Sequence, residues 1–407
     1  MAKEMTNTRS TVTTLSGRWM PLLGILLVAL GLLSTATSFP PLLAQLNADI
    51  AFTDVSYGFL GMLSPFTFAF MALLTPLIVK KLALEWAILG AAAMMAAGQI
   101  LRAVSSDSLG FFAASIVAML GLGAANLLLP PLIKRFFPDR IVSVSTLYVF
   151  FMIFSSIYPP LLAVPIASAT NWRFSIGVWA LIELLAVVPW LITILRKKTN
   201  TTTVAPPPAA PGLTKRVWTS RTSWALMLAY AVGTFNFYVL VAWLPVFLTE
   251  TVSATPETAG SLLSLYTAVP LISAAFVANL VAKMKNLGLL FIAVAVMVLV
   301  GYLGLMLMPA QVTWLWVALA GTAPMLFSIT LISLNYRTAT EAGTVVLAGM
   351  VTFGGYLLGA SGPLIVGFLR AQGSSWTAIL AMLAGAMLVA IVASFGLRKP
   401  VMVDLER

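Results

Sequence analysis

Two charged side chains lie deep in apolar stretches of this 407-residue chain: Glu183, in "GVWALIELLAVVPW", and Arg102, in "GQILRAVSSDS". A charge held at mid-bilayer depth costs about 2.5–3.5 kcal/mol even on a lenient insertion scale, so each needs a reason to be there. No Cys or His accompanies them. Thiol nucleophiles, disulfides and the usual metal ligands are thereby removed together, as is the side chain that most readily titrates near neutral pH. A carboxylate remains as the proton carrier, and Glu183 is the one acidic residue in the middle of an apolar stretch. It either takes up and releases a proton in a working cycle or stays neutral and hydrogen-bonded in a supporting helix. Arg102 either snorkels to the nearer interface, as a long side chain can from within a turn or two, or faces an internal cavity and attracts anions.

The surrounding chain is 60% hydrophobic and 9% charged, where a globular domain would carry roughly a quarter charged residues. It reads as an all-α integral membrane protein. A spanning helix needs about 20 apolar residues, because the hydrocarbon layer is roughly 30 Å thick and a helix rises about 1.5 Å per residue. On that measure there are twelve spans, near 19–45, 55–79, 86–104, 109–133, 141–165, 172–195, 223–249, 257–281, 287–309, 312–334, 343–369 and 376–397. With the N-terminus inside, only Arg102, Arg173 and Arg370 of the 23 Lys and Arg residues fall outside. That positive-inside bias places both termini in the cytoplasm. The knot "PPLIKRFFPDR" at 130–140 is then the turn between spans 4 and 5, not a nucleic-acid patch, and the net charge of +11 calls for no polyanionic partner.

Landmarks recur at a near-constant spacing. Pro41 corresponds to Pro245, Lys80 and Lys81 to Lys283 and Lys285, Arg135 to Arg337 and Pro160 to Pro363, at offsets of 202 to 204 residues. Such duplication is common in transporters. It divides the chain into two pseudo-symmetric six-helix bundles, 1–195 and 223–407. The segment 196–222, with "RKKTNTTTVAPPPAAPGLTKR", is polar, Pro-rich and basic, and is expected to be a cytoplasmic linker without a fold of its own.

Two such bundles with a long cytoplasmic linker resemble the major facilitator superfamily. More narrowly, "LLPPLIKRFFPDR", "FYVLVAWLPVFL", "AGSLLSLYT" and "YRTATEAG" resemble its cyanate and nitroimidazole permease branch. The resemblance implies alternating access about a midplane site lined by spans 1, 4, 5, 7, 8, 10 and 11. Two departures stand out. The loop between spans 2 and 3 is shortened to "VKKLALEW", and span 1 reads "GLLSTATSF", with Leu33 where that branch carries an Arg.

Uncharged polar and aromatic groups near mid-depth are the further site candidates. They are Thr35 and Ser38 in span 1, Asn126 in span 4, Tyr148 in span 5, Asn236, Tyr238 and Trp243 in span 7, Tyr266 in span 8 and Tyr356 in span 11. Amides in hydrocarbon need partners, which singles out Asn126 and Asn236. Aromatic walls carrying a few amides and hydroxyls suit a small planar or heteroaromatic solute. For each residue the competing reading is helix packing, or for Trp243 an interfacial belt. In span 11, "GGYLLGASGPLIVG" places Gly355, Gly359 and Pro363 four apart, a pattern for close helix approach and a kink. The 19 Met residues read as core filling rather than metal ligands.

An intramembrane enzyme would need clustered carboxylates or His, and a channel a continuous polar stripe; the spans carry neither. The expectation is a monomeric secondary transporter of the cytoplasmic (inner) membrane, with no cofactor or metal. It moves a small polar, heteroaromatic or anionic solute, with or without protons as partner. Export of an antimicrobial and proton-independent uniport are the alternatives.

Overall fold

The computed structural model describes residues 18–196, 212–284, 286–398 and 401–405, and these form helices and no strand. Among the described residues, eleven helices are long and apolar enough to cross a membrane. In the first half they are α1 (Trp19–Asp49), α2 (Asp54–Lys81), α3 (Leu84–Val104), α4 (Ser108–Phe136), α5 (Ile141–Ala169) and α6 (Trp172–Arg196). In the second half they are α7 (Arg221–Thr251), α9 (Leu287–Leu307), α10 (Thr313–Leu334), α11 (Glu341–Ala371) and α12 (Trp376–Phe395). Between α7 and α9 lies α8, a continuous 28-residue helix over Pro256–Lys283. The all-helical membrane fold expected from hydropathy is therefore the one observed.

Local sequence explains where these helices start and break. Side-chain oxygens of Thr53, Asp107, Thr255, Thr340 and Ser375 accept backbone N–H bonds at the starts of α2, α4, α8, α11 and α12, which satisfies donors that a helix leaves unpaired. α1 is interrupted: a helix to Leu32, a short turn over Ser34–Thr37 and a 3-10 turn over Pro40–Leu42 precede its last segment. Pro40 and Pro41 have no N–H to continue the ladder. α5 breaks likewise between Phe154 and Tyr158, with Pro159 and Pro160 opening its second segment.

The same clasp appears in both halves at the end opposite the cationic loops. Asp49 of α1 accepts bonds from Trp172 Nε1 (2.9 Å) and Arg173 Nη1 (2.5 Å) of α6. Glu250 of α7 accepts bonds from Trp376 Nε1 (2.7 Å) of α12 and Arg370 Nη2 (2.6 Å). First and last helices of each half are thus tied at one end.

The halves meet most closely there. A Cβ added at Gly58 of α2 would lie 2.7 Å from the Pro363 carbonyl oxygen of α11, and one at Gly367 would lie 2.6 Å from the Asp54 carbonyl oxygen. Only glycine lets the two backbones approach so far. Hydrogen bonds that cross between the halves include Tyr57 hydroxyl to Ala242 O (2.6 Å), Ser264 hydroxyl to Ile157 O (2.7 Å) and Thr267 hydroxyl to Ser156 O (2.9 Å). These lie at mid-depth or toward the end opposite the cationic loops.

At the cation-rich end each half holds its own loops. Arg135 pairs with buried Glu85 at 3.2 Å. In the second half the chain returns after α12, and Asp404 accepts from Ala339 N (2.9 Å), Thr340 N (2.8 Å) and the Thr340 hydroxyl (2.8 Å). Arg216 Nη1 reaches the Asp404 carbonyl at 3.3 Å. The expectation of an unfolded 196–222 is corrected at its end: Leu213–Thr219 is helical with Leu213 and Val217 buried, and α7 begins at Arg221. Those two apolar residues, four apart, give the segment a face to dock. Residues 197–211 of that segment lie outside the described residues.

Candidate functional site

A small cavity lies between the halves where α1 is interrupted. Ala36, Phe39 and Pro40 form one wall, Leu60, Gly61 and Ser64 of α2 and Met119 of α4 the sides, and Tyr238, Val241 and Ala242 of α7 the opposite wall. Its volume is about 10 Å³, on the order of one water. A solute larger than that is admitted only when the walls part.

A cluster of aromatic side chains packs between α2, α7 and α11, on the cation-rich side of Ser64 and Tyr238. The Tyr356 ring of α11 lies 5.0 Å from Phe68 of α2 and 5.3 Å, edge-on, from Tyr230 of α7. Tyr148 of α5 is half-buried. Asn126 stands seven residues, two turns, from Met119 and so on the same face of α4; it is half-buried and makes no side-chain hydrogen bond among the described residues. Of the candidates, Tyr238 lines the cavity and Tyr356 packs against Phe68 and Tyr230, while Asn126 and Tyr148 are half-buried on α4 and α5.

Glu183 and Arg102 lie beside the cavity, inside the first half, and both are buried. Thr35 joins them: its hydroxyl donates to Glu183 Oε1 (2.9 Å), and its carbonyl accepts from Arg102 Nη1 (2.7 Å). Arg102 also donates through Nε to the Ser115 hydroxyl (2.8 Å) and through Nη1 to Gln99 Oε1 (3.2 Å). Its guanidinium carbon stands 5.5 Å from the Phe39 ring centre and 5.7 Å from that of Phe111. Hydrogen bonds to a charged group contribute about 1.5–3 kcal/mol each, and a desolvated cation over an aromatic face about 2 kcal/mol; together they offset the several kcal/mol of burying the cation. Arg102 Nη2, Glu183 Oε2 and Ser38 Oγ are buried without a hydrogen bond among the described residues.

This geometry corrects the snorkelling expectation for Arg102. Its side chain is fully buried, because Ser115, Gln99 and the Thr35 carbonyl offer nearer partners than the interface.

Three candidates are used by packing in the second half and stand away from the cavity. Asn236 donates to Val232 O (2.8 Å) and accepts from the Tyr302 hydroxyl of α9 (2.7 Å). Tyr266 reaches Asn236 O at 3.4 Å and stacks on Phe237. Trp243 donates to Pro363 O (3.1 Å) between Tyr57 and Trp376, so it sits in neither the cavity nor an interfacial belt. Asn126 and Asn236 therefore do not converge. Conversely, Ser64 of α2 lines the cavity, and Phe68 of α2 and Tyr230 of α7 pack against Tyr356, without having been singled out. Ser64 and Phe68 are one helical turn apart, and that spacing was the available signal.

A duplicated helical membrane fold around a midplane cavity, closed at one end by glycine contacts between its halves, defines a secondary transporter. The chain belongs to the Major Facilitator Superfamily, whose family model matches residues 21–360. It is similar to the 2-nitroimidazole transporter of Escherichia coli (strain K12), 29% identical over 394 residues covering 95% of this chain and 97% of the relative. The uncharacterized transporter YycB of Bacillus subtilis (strain 168) is 27% identical over 90% of each chain. The cyanate transport protein CynX of E. coli (strain K12) is 24% identical over 74% of this chain and 76% of the relative. Among solved structures, a bacterial homolog of the human lysosomal transporter Spinster, in an inward-facing and unoccupied conformation, superposes with a TM-score of 0.68 at 12% identity, over 93% of this chain and 94% of that one.

Proposed function

We propose that the chain carries a small planar solute, a nitrogen-containing aromatic of nitroimidazole size, across the cytoplasmic membrane by alternating access. The observation that carries this reading is the aromatic cluster of Phe68, Tyr356 and Tyr230 beside the cavity that Ser64 and Tyr238 line. Ring faces bind a flat solute, and the Asn126 amide and Ser64 hydroxyl supply the few polar contacts that orient it. The names of two relatives, the 2-nitroimidazole transporter and the cyanate transport protein, support a small planar or linear solute. In this reading the protein works as a monomer, does no chemistry on its cargo, and moves 1–195 against 223–407 about the cavity, with 196–222 as the connection. The cationic loops and both termini face the cytoplasm, by the positive-inside bias.

Glu183 is the proton carrier of the proposal. One residue, Thr35, separates it from the cavity wall at Ala36, so the charge on the carboxylate can bias where that wall stands. The test is solute-induced proton movement in proteoliposomes, with 2-nitroimidazole, cyanate, small aromatic acids and common antimicrobials, for wild type and Glu183→Gln. Proton movement with 2-nitroimidazole in wild type alone is the expected result. Proton silence while labelled solute still crosses would make the protein a uniporter, and a response confined to bulky antimicrobials would replace the planar-solute reading by drug export.

A further inference from the structure

The interrupted stretch of α1 supplies one whole wall of the cavity, and the polar groups that fix it come from outside the cavity. Ser155 of α5 receives the Leu33 N–H (2.9 Å). Tyr158 donates to Leu30 O (2.7 Å). Arg102 alone holds the stretch in two ways, through the Thr35 carbonyl and against the ring of Phe39. Phe39 faces the cavity as well as the guanidinium. A shift of Arg102 therefore reaches the cavity through both the backbone and a lining side chain.

The second half provides an internal control. Its equivalent helix, α7, runs unbroken over Arg221–Thr251, and its polar knot, Asn236 with Tyr302, is uncharged, with the amide oxygen and nitrogen each hydrogen-bonded. In the first half the break, a buried cation and an unpaired guanidinium nitrogen coincide. A helix whose own ladder is intact needs no outside cation to hold its shape. An interrupted one has carbonyls to give and lacks the rigidity to fix its own course.

We propose that Arg102 is a positioning residue: without touching the solute, it sets the position of the 36–40 wall of the cavity. The idea rests on the reading of this cavity as the transport site, but its test needs no solute. Because the chain has no Cys, single thiols can be introduced at Ala36→Cys on the α1 wall and at Val241→Cys on the opposite wall. Their reaction with a small methanethiosulfonate reagent is timed in proteoliposomes, in the wild-type, Arg102→Lys and Arg102→Gln backgrounds. In Arg102→Gln the rate at Ala36→Cys changes about tenfold, the effect of losing one charge-assisted hydrogen bond from the resting position, while Val241→Cys stays within about twofold. Arg102→Lys, which keeps the charge and can make one of the bonds, gives an intermediate rate.

Should Arg102→Gln fail to fold, Arg102→Lys carries the same test, since it keeps the buried charge while losing bonds of the guanidinium, and a changed rate at Ala36→Cys with Val241→Cys unchanged is again the expected result. Unchanged rates at Ala36→Cys in every background overturn the proposal. So do equal changes at both thiols, which would mean general loosening. Labelling rates do not depend on cargo, so failure to transport 2-nitroimidazole would sink the substrate reading and leave this result standing.

Discussion

Gly58→Ala adds one methyl group at the seam between the halves, and its consequence can be worked from the contacts it meets. The new carbon would stand 2.7 Å from the Pro363 carbonyl oxygen and 3.2 Å from the α-carbons of Leu364 and Gly367. All three are backbone atoms of α11, so no rotamer change relieves the clash and the two helices must separate. Forcing a methyl into a packed contact costs about 1–3 kcal/mol. At about 1.4 kcal/mol per factor of ten, that lowers the sealed population relative to its alternative by roughly five- to 150-fold. The assay is a single thiol, Ser64→Cys, in the cavity of the Cys-free chain, labelled by a membrane-impermeant reagent added from the side opposite the cationic loops. Labelling from that side should accelerate by a factor in this range in Gly58→Ala, with labelling from the cationic side slowed. Unchanged labelling with unchanged thermal stability would refute the reasoning, because the glycine contact would then not hold the seal. A lower Tm without faster labelling would show that the methyl damages one half instead of the seam.

Two further outcomes follow from the placement of polar groups. Asn236→Ala should leave transport affinity within about twofold while lowering thermal stability by about 1–3 kcal/mol, the cost of leaving the buried Tyr302 hydroxyl unpaired; a lost affinity with unchanged stability would return Asn236 to the site. For Asp404, burial alone would push the carboxyl up, but the N–H groups of Ala339 and Thr340 and the Thr340 hydroxyl hold it below the ordinary carboxylate range. Its contribution to docking the tail is therefore complete above the unfolded-state value of about 3.9 and is lost as pH falls through the lower folded value. Hydrogen exchange at the start of α11 should rise over that acid window in wild type and be raised already at neutral pH in Asp404→Asn; identical exchange in both would contradict the clasp.

The spans were legible because hydrocarbon imposes a length and excludes charge, and Glu183 and Arg102 stood out for the same reason. Their joining through Thr35 was not legible. The atom of Thr35 that accepts from Arg102 is a backbone carbonyl, which every residue has, and it lies in the short Ser34–Thr37 segment of the interrupted α1. Asn236 misled because an amide in a membrane helix must have a partner, but composition does not say whether the partner is a solute or a tyrosine two helices away. Ser64 and Phe68 were overlooked because α2 carries apolar residues on every face, with its few hydroxyls among them. In lipid, the face toward a cavity and the face toward hydrocarbon draw on the same residues. The interruption of α1 was not read from the sequence, where 19–45 stood as one span; the polar "STATS" gave only site candidates, and the cavity lies at that break.

The most direct test of the account is exchange of labelled 2-nitroimidazole into proteoliposomes preloaded with the unlabelled compound, without any ion gradient, for wild type and Tyr356→Ala. Rapid exchange by wild type, and a KM raised about tenfold or more in a folded Tyr356→Ala protein, is the predicted result, since loss of a well-packed aromatic contact surface costs on the order of 1–3 kcal/mol. Exchange that proceeds equally well in both would mean that the solute does not pass the aromatic site and would contradict the central claim.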